Sequence, residues 1–180
     1  MADTWRYYAP TVSWTQSKNL LDIWNGASSS KTISVYRMFV FNLATNVTGV
    51  LDFAYIYRFT DSTAPATTGS AITGYAHRSN NTALNANTLG GTGYTANITT
   101  TAANMLRRFM FATKQAVAGN LNYSGLETLV PFAMVWDSGY SDASTQPLTC
   151  VAGAATGYVV VAGDGHYAGT TDIEIEFTSA

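Results

Sequence analysis

Charge is what this chain has least of. Only 11% of its 180 residues are Asp, Glu, Lys or Arg, nine basic against eleven acidic, for a formal net charge of −2. A soluble domain ordinarily carries about 25%. Intrinsic disorder requires few apolar residues and a high net charge, so with 47% hydrophobic residues the chain is expected to fold. Without a basic stripe there is nothing to hold a phosphate backbone, and nucleic acid is not an expected partner. Cysteine is nearly absent too. Cys150 stands alone, so no internal disulfide can form, and nothing points to an oxidising compartment. The two histidines, His77 and His166, are far apart in sequence and the cysteine has no cysteine partner, so neither a metal site nor a cofactor is expected. No apolar run approaches the roughly 18 residues of a membrane helix. The opening residues Met1 to Tyr8 lack the apolar core and cleavage site of a signal peptide.

The polar residues present are mostly Ser, Thr, Asn and Gly. A surface of that kind bonds through neutral groups and repels its like weakly, which favours packing against other protein. Four Asn-x-Ser/Thr sequences, at Asn46, Asn80, Asn97 and Asn122, match the frequency expected by chance in such a chain.

Period two dominates the hydrophobic pattern. Leu51, Phe53, Tyr55, Tyr57 and Phe59 alternate with Asp52, Ala54, Ile56 and Arg58, which predicts a half-buried antiparallel strand. The segment 31–43 alternates at first and then turns apolar on both sides, as a strand covered on each face does. The connector Ala44 to Gly49 between these two strands reads as the turn of a hairpin. Near the C-terminus Ile173, Ile175 and Phe177 alternate with Asp172, Glu174 and Glu176. Weaker strands are expected over 19–24, 71–78, 105–113, 127–136, 147–151 and 158–161. No stretch of ten or more residues has helical spacing. The chain is therefore expected to be all-β, with about eight strands in an antiparallel two-sheet β-sandwich.

Two segments read as something other than strand. Residues 1–17 form an aromatic arm ahead of a sandwich domain spanning 18–180. Trp5, Tyr7, Tyr8 and Trp14 are costly to leave in water, so the arm either packs on its own subunit or docks onto a neighbour. Residues 79–101 hold Gly90-Gly91-Thr92-Gly93 and almost no charge, which reads as a long flexible loop. It lacks the Lys of a phosphate-binding loop.

Reactive chemistry finds little footing. Cys150 has no motif beside it and is expected to be a small buried thiol. Glu174 and Glu176 share a strand face, as a glycosidase pair would need, but charge on such a face is also what keeps an edge strand from pairing wrongly. Arg107 and Arg108 fall on opposite faces of one strand, as solvated side chains or as interface ion pairs. Tyr55 and Tyr57 read as core or interface residues. No catalytic residue is assigned, and an enzyme is not expected.

Taken together, Asn19-Leu20-Leu21-Asp22-Ile23-Trp24-Asn25-Gly26, Val35-Tyr36-Arg37-Met38-Phe39-Val40, Met105-Leu106-Arg107-Arg108-Phe109 and the closing Asp172-Ile173-Glu174-Ile175-Glu176-Phe177 resemble a family of tailed-bacteriophage virion proteins. The similarity spans most of the chain after about residue 18. It implies a jelly-roll sandwich, often trimeric, that decorates or cements the phage head. The partners would be further copies of the chain and the major capsid protein. The location would be the capsid surface, after synthesis in the host cytoplasm. A receptor- or carbohydrate-binding virion module on the same fold is the alternative. The capsid-docking or interface candidates are Trp5, Tyr7, Tyr8, Trp14, Tyr55, Tyr57, Arg107 and Arg108.

Overall fold

A computed structural model describes residues 3–42, 51–65, 69–94, 96–112, 133–137, 148–163 and 170–180. The described chain is built of strands: β1 (Asp3–Ser13), β2 (Asn19–Asn25), β3 (Ile33–Asn42), β4 (Leu51–Thr60), β5 (Ser70–Ile72), β6 (Tyr75–Ala76), β7 (Thr88–Thr92), β8 (Met105–Ala112), β9 (Ala133–Asp137), β10 (Leu148–Cys150), β11 (Thr156–Ala162) and β12 (Thr170–Ser179). One 3-10 turn at Ala102–Asn104 precedes β8. Among the described residues no helix is long and apolar enough to cross a membrane.

Every pairing is antiparallel and the strands form two sheets. Sheet A runs β10-β3-β12-β1-β6, with β9 also on β3, and sheet B runs β5-β7-β2-β11-β4-β8. The pairings are nested. β1 lies on β12, β2 on β11, β3 on β9 and β10, and β4 on β8. A chain folded back on itself between β4 and β8, then rolled so that successive pairs alternate between two sheets, makes this pattern. It is a jelly roll. The described residues form twelve strands where about eight were expected: β1 and β7 are additional, and the single strand expected over 71–78 is two short ones, β5 in sheet B and β6 in sheet A.

The main core lies between the sheets. β12 supplies Ile173, Ile175 and Phe177, all fully buried, while Asp172, Glu174 and Glu176 face outward. Sheet B answers with Leu21, Ile23, Ala54, Ile56 and Val160. The Tyr7 and Phe177 rings stack at 5.0 Å. Each such side chain contributes roughly 1.5–3 kcal/mol by leaving water.

Four expectations are corrected. The arm is a strand: β1 sits inside sheet A between β12 and β6, with Trp5, Tyr7 and Ala9 buried in alternation. Between Ala9 and Val12 the register slips, with Thr11 at φ 50°, and this bulge transfers burial to Val12 and Trp14. The alternation thus changes phase halfway, which hides it in the sequence.

The segment 79–101 holds β7, paired with β2 and β5. Gly90 and Gly91 of β7 are packed tightly. A Cβ at Gly90 would lie 2.8 Å from the Tyr7 ring.

The hairpin between β3 and β4 does not exist, because β3 belongs to sheet A and β4 to sheet B. The connector 44–49 lies outside the described residues.

Finally, β12 is an interior strand, between β3 and β1. Its acids mark the wet side of a sheet rather than a guarded edge.

Candidate interface surfaces

β4 shows how the outer face of sheet B is made. Ala54 and Ile56 point inward and are fully buried. Phe53, Tyr55 and Tyr57 therefore point outward, half-buried, on the side of the sheet away from the main core. The bulky row is the outer one, because Tyr158 and Val160 of the neighbouring β11 already fill the inner space. Tyr55 and Tyr57 stand 6.0 Å apart between ring centroids. Arg108 of β8 lies directly opposite Tyr55, its guanidinium 3.6 Å from the centroid of the Phe53 ring and 5.9 Å from that of Tyr55. A guanidinium stacked in this way keeps its N–H edges free for a carboxylate. Arg107 pairs with Ile56 and points to the other side, exposed.

Part of that outer face is covered. Trp24, Phe59, Val159 and Val161 form a second apolar cluster closed by Tyr94 and Ile98, from the chain that follows β7. The covered cluster thus reaches from β2 and β11 to Phe59 of β4, and Tyr55 and Tyr57 pack half-buried against its margin, beside Phe53 and Arg108.

The outer face of sheet A carries ion pairs and polar bonds over β1, β12 and β3, beside the apolar Phe39. Arg6 pairs with Glu174 and Arg37 with Glu176, each at 3.5 Å, and His77 Nε2 lies 3.9 Å from Glu176. The Tyr8 hydroxyl donates to Asp172 Oδ2 at 2.5 Å, and the Thr11 N–H to Asp172 Oδ1 at 2.7 Å. That bond to Asp172 is the chief reason the Tyr8 phenol lies above its ordinary value. Burial raises the Glu174 carboxyl, against the pull of Arg6. Exposed pairs of this kind contribute about 0.2–1 kcal/mol each. Tyr75, 52% exposed, stands at the margin with Arg6 5.8 Å from its ring centroid.

The structure therefore separates the predicted interface residues. Trp5, Tyr7 and Trp14 are buried within their own subunit, where no partner can reach them. Tyr8 is half-buried on the outer face of sheet A. Tyr55, Tyr57 and Arg108 come together on sheet B. Phe53 belongs with them and was readable from the same alternation.

Cys150 is fully buried, and burial pushes its thiol up to about 12. A thiolate reagent such as Ellman's reagent is expected to find no reactive group in the native protein at pH 8, and one per chain in denaturant. Among the described residues no three His, Cys, Asp or Glu side chains are grouped to hold a metal ion. His166 lies outside the described residues.

Comparison with protein-family models, with curated proteins and with solved structures yields no match.

Proposed function

We propose that this chain is a structural virion protein. It binds the outside of a phage capsid as a homotrimeric decoration or cement protein, and it acts by binding alone, without catalysis. The observation that supports this most is the aromatic row on the outer face of β4. Phe53, Tyr55 and Tyr57 form an outward aromatic row beneath Arg108 on a single chain. Aromatic residues and arginine are the side chains that concentrate binding energy at protein interfaces. Low surface charge reduces the desolvation cost of covering that face. A protein that binds the assembled lattice but not free subunits stabilises the shell by mass action, and symmetric attachment multiplies modest contacts.

The test is mass in solution together with co-sedimentation on purified heads stripped of the protein. A particle of three chain masses that co-sediments and raises the melting temperature of the heads is the expected result. Tyr57→Ala combined with Arg108→Ala should weaken sedimentation at least tenfold while leaving the fold intact. A monomer that ignores heads overturns the reading. The second reading, a glycan-binding virion module on the same fold, draws on Tyr75, an exposed ring beside Arg6. It would appear in the same experiment as retention on immobilised glycan, lost in Tyr75→Ala, without binding to heads.

A further inference from the structure

The covered part of sheet B hides an unusual group. Asp22 lies mid-strand in β2 among Leu20, Leu21, Ile23 and Trp24, and is only 1% exposed. It pairs with Val159 on one side and Gly91 on the other, on the outer side of the sheet beneath Tyr94. The Tyr94 hydroxyl donates a short hydrogen bond to Asp22 Oδ1, and the Gly91 N–H bonds the carboxyl as well. Gly91 makes the approach possible, since a Cβ there would lie 2.8 Å from Asp22 Oδ1 and would strike the Tyr94 hydroxyl. Gly93, at φ +64°, turns the chain out of β7 so that Tyr94 comes back over the sheet. Further bonds tie this stretch down. Lys18 Nζ donates to the Tyr94 carbonyl at 2.9 Å, and Asn97 accepts from the Asn19 N–H at 3.2 Å and donates to the Ser17 carbonyl at 2.7 Å.

We propose that Asp22 and Tyr94 form a pH-responsive latch, which holds the chain leaving β7 against the outer face of sheet B and loosens when Asp22 ionises. A buried carboxylate has lost its hydration, and the bonds from Tyr94, from the Gly91 N–H and from its own backbone N–H replace it only in part. Burial accordingly raises the Asp22 carboxyl from 3.8 to about 7, against the opposite pull of Tyr94 and Gly91. Few other groups compete for the charge. Lys18 is engaged with the Tyr94 carbonyl. Tyr7 of β1, itself raised by burial and by Asp22, stays neutral throughout this range, as does Tyr94. β11 presents Val159, which does not titrate.

The sign follows by linkage. Below about pH 4 the carboxyl is protonated in both folded and unfolded chains, and the latch stabilises fully. As pH rises towards 7 the unfolded chain gives up its proton while the folded chain retains it, so stability falls, and it levels off above the folded value. Opening the latch would uncover Trp24, Val159 and Val161 beside Tyr55 and Tyr57, enlarging the docking face. That last consequence rests on the proposed function, whereas the latch does not.

Hydrogen-exchange protection factors over residues 88–98, measured on the full chain between pH 6 and 9, test the latch itself. In the unmodified protein they should fall at least tenfold across that range. Asp22→Asn keeps an acceptor for Tyr94 but cannot ionise, and should show no fall. Tyr94→Phe removes a bond that favours the charged form and should move the midpoint upward. Equal falls in the unmodified protein and in Asp22→Asn would overturn the proposal. Should Asp22→Asn not fold, carbon-13 titration of the Asp22 carboxyl in the unmodified protein decides, and a midpoint near 4 overturns it. None of these readouts involves phage heads, so they stand or fall separately from the docking assignment.

Discussion

Removing residues 1–15 is expected to leave a chain that does not fold, recovered as aggregate or with the circular dichroism of an unfolded protein. β1 is not an appendage. It fills the place between β12 and β6, and its loss leaves an interior ladder of β12 without a partner. It also takes Trp5, Tyr7, Val12 and Trp14 out of the main core. At roughly 1.5–3 kcal/mol for each large side chain, the deficit is about 10 kcal/mol, comparable with the 5–15 kcal/mol that holds a typical domain together. A detachable docking arm would behave differently, giving a soluble, folded truncation that had merely lost its partner. Thermal unfolding of the purified truncation distinguishes the two outcomes, and a cooperative transition near that of the full chain would refute the placement of β1.

The second large effect is expected at Asn25. This residue closes β2, is fully buried, and joins four stretches of chain. Its Nδ2 faces the carbonyls of Lys31 at 2.8 Å, Cys150 at 3.2 Å and Val151 at 3.3 Å, while its Oδ1 accepts from the Thr88 hydroxyl at 3.0 Å. An amide has two N–H donors, so one of them is shared between two carbonyls. Asn25→Ala would leave several of these groups desolvated and unbonded. At about 1–3 kcal/mol for each group stranded, the loss should reach about 3–5 kcal/mol, read as a lower urea midpoint at an unchanged slope. Asn25→Asp should be worse still, because it turns a carboxylate oxygen towards three carbonyl oxygens. A midpoint within experimental error of the unmodified protein would show that the junction is held by other contacts.

How much of this was legible in the sequence varies with the strand. β12 could be read for its two faces though not for its interior place in the sheet, since each outward position is an acid or threonine and each inward one is apolar apart from its threonine and serine ends. β4 could be read as a strand but not for its orientation. Tyr and Phe look like core residues, yet the inner positions are Ala54 and Ile56, because what fits between the sheets depends on Tyr158 from a strand a hundred residues away. β1 was hidden by its bulge at Pro10 and Thr11. β7 was hidden by composition: Gly90 and Gly91 carry no hydrophobic signal, and their requirement appears only when the Tyr7 ring and the Tyr94 hydroxyl are seen against them. The aromatic face of sheet B was half legible, through Tyr55, Tyr57 and Arg108. The latch was not, although a carboxylate in the middle of an apolar strand was its visible trace. Its partner Tyr94 is 72 residues away in a segment that looked shapeless.

The nested pairing also sets a timetable for synthesis. Trp5 of β1 must wait for Phe177 of β12, so a strand made early is completed only by one made more than 150 residues later. Non-local closure of this kind is slow. Until β12 has emerged, the growing polypeptide carries a tryptophan-bearing ribbon without its main partner, and at that stage it depends most on chaperones to keep it from associating with its neighbours.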